Sequence, residues 1–308
     1  AAVAMSSLNR MPGPDIDAQI LKALSSATDT AAQSQLIRLL GNRQAAGATG
    51  ELLHQASGAD VKVSLAALHA LISLAGPGDL PALIALVKTS QDTTVRDAAE
   101  GVVYRACAKA GDPALGGELV LAELKQATRP ADKNSWVRVL ASLGYAKALP
   151  AIQALLADTD ESVAANAIEH LGRWPDPAPI ASLLAALEAS PNRAQLKRLL
   201  TSVIQLASTA AEEGQRTDDV LIGWFQRANK AVQTVEDKRL ILSGLGRLKS
   251  VAVLQLLQPY LDDPAVQAEA EAAVIQTAKK LTAPPDKIAA RPLLEKVAAT
   301  AKDQRTRA

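Results

Sequence analysis

Residues 158–191 read DTDESVAANAIEHLGRWPDPAPIASLLAALEASP, a stretch of 34 residues that carries its own start and stop signals. The side chain of Asp160 is suited to capping a helix N-terminus. Behind it, Val163, Ala167, Ile168 and Leu171 recur at the three- and four-residue steps that share one helical face. Gly172 is placed to take the left-handed conformation that ends a helix. The turn RWPDPAP follows, proline suits a new helical start, and Leu183, Leu184 and Leu187 carry a second apolar stripe. The unit is a helical hairpin.

The same hairpin is copied along the chain. A valine preceded by acidic or small polar residues stands at Val61, Val95, Val163 and Val266, at steps of 34, 68 and 103 residues, or one, two and about three units. LPALIALV begins at Leu80 and LPAIQALL at Leu149, 69 residues on. Leu-Gly pairs at Leu40-Gly41, Leu143-Gly144, Leu171-Gly172 and Leu245-Gly246 each follow an apolar residue three positions before the leucine: Ile37, Leu140, Ile168 and Leu242. Start and stop signals predict first helices near 29–41, 60–75, 93–110, 131–144, 160–172, 193–209, 235–246 and 264–281. The second helices alternate with them near 46–57, 79–90, 113–127, 147–157, 178–189, 217–231, 249–261 and 286–302. A short helix near 15–25 precedes the first hairpin, and the polar segment STAAEEGQRTDD at 208–219 reads as an exposed inter-helix loop.

Composition agrees with helices packed closely. Hydrophobic residues make up 48% of the chain but aromatics only 2%, with most of the apolar share in Ala, Leu and Val. A β-sandwich of this size needs far more β-branched and aromatic residues. Residues 1–154 carry 14 Lys plus Arg against 13 Asp plus Glu, and residues 155–308 carry 19 against 19. Without a basic half, nucleic acid gains no support as the main partner. No apolar run reaches the length of a membrane span, so a membrane is not expected as partner. The opening AAVAMSSLNRMPGPD lacks the pattern of an intact signal peptide and reads as a cut end. Cys107, the single cysteine, lies in the helical run VVYRACAKAG and reads as a buried, inert thiol.

Tetratricopeptide units fill their inter-helix space with recurrent aromatics, which three Trp, three Tyr and one Phe cannot supply to this many hairpins. The Thr-Pro-Leu-His element of ankyrin units is missing. The strings DxxVxxxAxxxLG at Asp160–Gly172 and LPAIQALL at Leu149–Leu156 resemble HEAT repeats of the short bacterial kind. In the C-terminal half, LGRWPDPAP, EDKRLILSGLGRLKSVAVLQLLQPYLDDPAVQAEAEAAV and ARPLLEKVAATAKD resemble the HEAT modules of large exported bacterial proteins, where they accompany keto-disaccharide-hydrolase-like or cytochrome c domains. The resemblance implies an accessory module of an exported multidomain protein, periplasmic or extracellular.

Candidate chemistry is sparse. Di-iron hydroxylases of this architecture use repeated His-Glu pairs, whereas here the pair is the reversed Glu169-His170, and His54, His69 and His170 show no paired spacing. No metal or cofactor is expected. Trp136, early in a first helix, and Trp174, in a turn before Pro175, read as covers over the core. Trp224 stands in a second helix with Phe225, Arg227 and Lys230, so Trp224, Arg227 and Lys230 form the candidate partner-binding spot; the alternative is that Trp224 and Phe225 fill a gap beside the longer loop. Arg193, Lys197, Arg198, Arg227, Lys230, Lys238, Arg239, Arg247 and Lys249 suggest a basic stripe, but Glu212, Glu213, Asp218, Asp219, Glu236 and Asp237 interrupt it, which is the pattern of a solvated mixed-charge surface.

These readings predict an all-α fold: a right-handed α-solenoid of about eight HEAT-like helical hairpins over residues 15–302, with a flexible N-terminal end at 1–14 and a frayed tail at 303–308. The expected function is that of a non-catalytic protein-protein interaction scaffold. As a monomer, it binds a protein partner or an adjacent domain of the same polypeptide along a concave face made of second helices. Its rivals are a nucleic-acid binder or DNA-glycosylase-like helical-repeat protein, and a lyase or hydroxylase of the HEAT type.

Overall fold

An aspartate three residues ahead of a valine opens helix after helix. In the computed structural model, which describes residues 13–110, 113–190 and 192–300, the Asp60 carboxylate accepts from the backbone N–H groups of Lys62 at 2.9 Å and Val63 at 3.2 Å. Asp92 accepts likewise from Thr94 and Val95, and Asp160 from Ser162 and Val163. Asp29 and Asn192 cap two further helices through Ala32 and Ala194. Each cap satisfies N–H groups that the helix itself cannot and contributes about 1 kcal/mol.

The helices are α1 (Pro14–Ser26), α2 (Thr30–Asn42), α3 (Thr49–Ala56), α4 (Val61–Leu74), α5 (Leu80–Thr89), α6 (Thr93–Ala108), α7 (Pro113–Gln126), α8 (Pro130–Ser142), α9 (Leu149–Ala154), α10 (Glu161–Leu171), α11 (Ile180–Ala189), α12 (Arg193–Glu212), α13 (Asp218–Asn229), α14 (Val235–Leu245), α15 (Val251–Leu257), α16 (Gln267–Lys280) and α17 (Pro284–Thr300). No strand occurs among the described residues. From α2 onward they alternate as first and second helices of successive hairpins, and the fold is an α-solenoid. Of the end segments set apart by the sequence, residues 1–12 and 303–308 lie outside the described residues, while Pro14 already opens α1.

The chain divides between Ala151 and Ile152 into two compact units. In the first unit α2 packs on α4, α4 on α6 and α6 on α8, forming a row of first helices, with α3 against α5 in the row behind. In the second unit the first-helix row is α10, α12, α14 and α16, and the second-helix row is α11, α13, α15 and α17. Each row buries its stripe between neighbours only: Ile37, Leu40, Leu71 and Leu140 in the first unit, and Val163, Ile168, Leu171, Leu183, Leu199 and Leu242 in the second. Burying each such side chain contributes about 2 kcal/mol. Trp136 and Trp174 are both buried, as expected of core covers.

Three local expectations are corrected. Val61 is 37% exposed, whereas Val63 is buried; Val63 stands three residues after the capping Asp60, as Val95 does after Asp92 and Val163 after Asp160, so Val63 is the repeat position. The segment 208–219 is not all loop: α12 runs on to Glu212 and buries Ser208 and Ala210, leaving only 213–217 between α12 and α13. Finally, of the four Leu-Gly glycines, only Gly144 is left-handed, at φ 59°. Gly172 and Gly246 keep right-handed helical dihedrals and Gly41 lies within α2. A Cβ on Gly172 would come 2.5 Å from the Ser202 Cβ, and one on Gly41 would come 2.9 Å from the Ala70 Cβ. These glycines are required because the next first helix passes too close for any side chain.

Ion pairs tie neighbouring hairpins together. Arg138 holds Glu100 with two hydrogen bonds of 2.6 and 2.7 Å, and Lys88 meets Glu123 at 2.8 Å. In the second unit Arg239 reaches Glu269, Lys238 reaches Asp263 and Lys296 reaches Asp262. Asp237 is fully buried and accepts from Arg193 and from the backbone N–H groups of Gln233 and Thr234. Burial works against its charge, but the guanidinium and the two amides prevail and hold the carboxyl below the usual carboxylate range.

Leu171→Asp places an unpaired charge in a buried stripe and should destabilise the second unit by on the order of 4 kcal/mol; a soluble variant melting like wild type contradicts the assigned register. Because the folded pKa of Asp237 lies below its unfolded value, its stabilisation is present above the unfolded pKa and is lost as pH falls through the folded one. Asp237→Asn should therefore cost about 2 kcal/mol at pH 7. Denaturant titrations at pH 7 and pH 3 should show the gap between variant and wild type narrowing in acid, and a gap that widens would refute the assignment.

Candidate functional site

The expected spot is found on the second-helix row of the second unit. Trp224 lies on α13, half-buried, one residue before the fully buried Phe225. Phe225 fills space against Gly244, whose Cβ would come 2.5 Å from its ring. The packing role weighed for the Trp-Phe pair thus falls to Phe225, and Trp224 keeps a solvent-facing edge. Arg227, one turn on, reaches across to α11 and donates two hydrogen bonds to Glu188, at 2.8 and 2.9 Å. The bidentate bond keeps Glu188 below the usual carboxylate range and Arg227 firmly protonated. Lys230 caps the C-terminus of α13, exposed. The three residues therefore share one helix, with Arg227 locked in place by the preceding hairpin and Lys230 beside it.

A second feature lies on the first-helix row. Between α10 and α12 runs an open groove of about 450 Å³, floored by Ile168 and walled by Glu169, Arg173, Lys197, Arg198, Thr201 and Gln205. At the C-terminal end of α10, Gly172 brings the backbone against Ser202 of α12, which also lines the groove. A corresponding groove of about 1130 Å³ lies between α2 and α4 in the first unit, at the matching contact of Gly41 with Ala70. Lys197 and Arg198 were legible only as members of a mixed-charge stripe. The Leu-Gly pairs are visible in the sequence, but their contact partners Ala70 and Ser202, which place Lys197 and Arg198 on a groove wall, come only from the packing.

Five further members of the supposed basic stripe are held in ion pairs, while Lys230 and Lys249 are exposed. Arg193 bonds Asp237, Arg227 bonds Glu188, Lys238 bonds Asp263, Arg239 bonds Glu269 and Arg247 bonds Glu212. The three histidines are dispersed over α3, α4 and α10, and among the described residues no group of three or more His, Cys, Asp or Glu could hold a metal ion. Cys107 is buried against Gly116, and burial pushes its thiol up to about 11, far from reactive thiolate. No helix among the described residues is long and apolar enough to cross a membrane.

Two solved structures share this fold. Importin β superposes with a TM-score of 0.55 at 14% identity over 99% of this chain and 48% of its own. Kap95p, whose binding induces the switch loops of RanGDP to adopt the GTP-bound conformation, does so with 0.52 at 14% identity over 95% and 48%. The chain thus spans about half the length of both. The CpcE and CpcF complex of phycocyanin lyase from Nostoc sp. PCC7120 gives 0.37 at 17% identity over 88% and 96%. No curated protein matches the sequence. The pattern of HEAT repeats matches residues 18–103 and 117–201, more than half of the chain. With capped hairpins stacked through glycine contacts and that match over both units, the chain belongs to the HEAT-repeat family.

Proposed function

We propose that this HEAT-repeat chain is a non-catalytic scaffold that engages a protein partner, or a neighbouring domain of its own polypeptide, through its second helices. The observation that carries this reading is the pairing, on one helix, of a half-buried tryptophan with a cation that a carboxylate of the preceding hairpin holds in place. Trp224 and Arg227 are residue types that dominate the energy of protein interfaces. Glu188 removes the rotamer freedom of Arg227 before any partner arrives, which lowers the entropic cost of association. Lys230 adds a charge at the rim, where it acts on encounter rate and register more than on affinity. The similarity to Kap95p, a protein that binds RanGDP, supports a protein as the ligand.

A photo-crosslinking amino acid at the exposed Gln226 should yield a discrete protein adduct in an extract of the cells that make the chain. Trp224→Ala should abolish that adduct and Lys230→Glu should slow its formation, with helical circular dichroism kept in both and melting unchanged in Lys230→Glu, whose side chain is exposed. An adduct indifferent to Trp224→Ala, or none at all, contradicts the proposal.

A further inference from the structure

The two first-helix grooves are built alike but walled differently. Superimposing the Gly41 and Ala70 contact on that of Gly172 and Ser202 brings Leu65 and Ala66 of the α2/α4 groove to the positions of Lys197 and Arg198 in the α10/α12 groove. At those two positions the first groove is apolar, with Lys62 one turn earlier on the same wall, whereas the second carries two adjacent cations. Most neighbouring cations are paired, Lys230 and Lys249 excepted. Arg193 on the same helix is committed to Asp237, and Arg227, Lys238, Arg239, Arg247 and Lys296 each reach a carboxylate of another hairpin. Lys197 and Arg198 are exposed and bond no carboxylate among the described residues. A third cation, Arg173, meets Glu169 at 3.0 Å across one turn, an exposed pair that a better-placed carboxylate can displace at little cost.

We propose that the α10/α12 groove docks an acidic, extended segment of a partner protein; this rests on the reading of the chain as a protein-binding scaffold and adds a second contact on the opposite row of helices. Lys197 and Arg198 receive side-chain carboxylates of the segment, Arg198 through its planar fork. The Gln205 amide, which makes no other hydrogen bond among the described residues, bonds the segment's backbone. The Thr201 hydroxyl donates to the Lys197 carbonyl at 2.9 Å and keeps its lone pairs for an incoming N–H. Ile168 offers an apolar floor. The groove also has a polarity. Beyond Arg198, a smaller hollow of about 150 Å³ is lined by Asp158 and Glu161, which repel carboxylates and set the acidic part of the segment at the Arg173 end.

Fluorescence anisotropy of the full chain with a fluorescein-labelled peptide of alternating Glu and Gly tests this directly. Wild type should bind saturably, and added NaCl should weaken binding. The double variant Lys197→Glu, Arg198→Glu should bind about tenfold more weakly or worse. Lys249→Glu, outside the groove, should bind like wild type, and melting should be unchanged throughout because all three side chains are exposed. Absence of binding, equal binding by the double variant, or tighter binding of a labelled DNA oligonucleotide that depends on the same two residues overturns the proposal. If the Trp224-dependent adduct persists while peptide binding ignores Lys197 and Arg198, the groove assignment falls and the scaffold reading stands.

Discussion

Close approach between successive first helices governs this structure. Where α10 meets α12, the backbone at Gly172 lies against the Cα and Cβ of Ser202, and where α2 meets α4, Gly41 lies against Ala70. Interiors are packed to crystal-like density and cannot absorb a methyl group between rigid backbones. Each contact therefore fixes how closely one hairpin can approach the next. The grooves lie beside those contacts. Leu40 and Leu171 are buried one residue before each glycine, where the stripe is pressed hardest against the next repeat.

Because each hairpin touches chiefly its neighbours, stability is distributed as a series of interfaces. Caps set where each first helix begins, apolar stripes supply most of the energy, and ion pairs such as Arg138 with Glu100 and Arg239 with Glu269 join adjacent hairpins at the surface. Most of these exposed pairs contribute little free energy individually. Their value is positional: Glu188 holds Arg227 beside Trp224, and the carboxylates that neutralise Arg193, Lys238, Arg239 and Arg247 leave Lys197 and Arg198 as unmatched charge on a groove wall.

Much of the architecture was legible before any coordinates. Capping residues and 3.6-residue periodicity are local signals, which is why α10 and α11 fall within a few residues of their expected limits. The errors share a cause. Val61 satisfied the spacing rule but not the distance from its cap, and only Val63 points inward. Ser208 and Ala210 look like loop residues by composition, yet packing carries α12 past them. The Leu-Gly glycines read as helix terminators because a glycine's two uses, left-handed backbone and missing Cβ, leave the same mark in sequence; Gly144 serves the first and Gly172 the second. The Trp224 cluster was visible as composition on one helix, whereas Glu188 lies 39 residues away from Arg227 and entered only through the stacking of α11 on α13.

A double-mutant cycle on Gly172 and Ser202 tests the central claim most directly. Gly172→Ala alone should destabilise the chain through its clash with Ser202. Ser202→Gly alone should lose about 1 kcal/mol for a glycine inside a helix, and combining the two should recover only the part of the Gly172→Ala loss that comes from the Ser202 side chain, because the Ser202 Cα would still stand 2.8 Å from the new Cβ. A Gly172→Ala variant as stable as wild type in chemical denaturation would show that these backbones do not constrain each other, and would contradict the account.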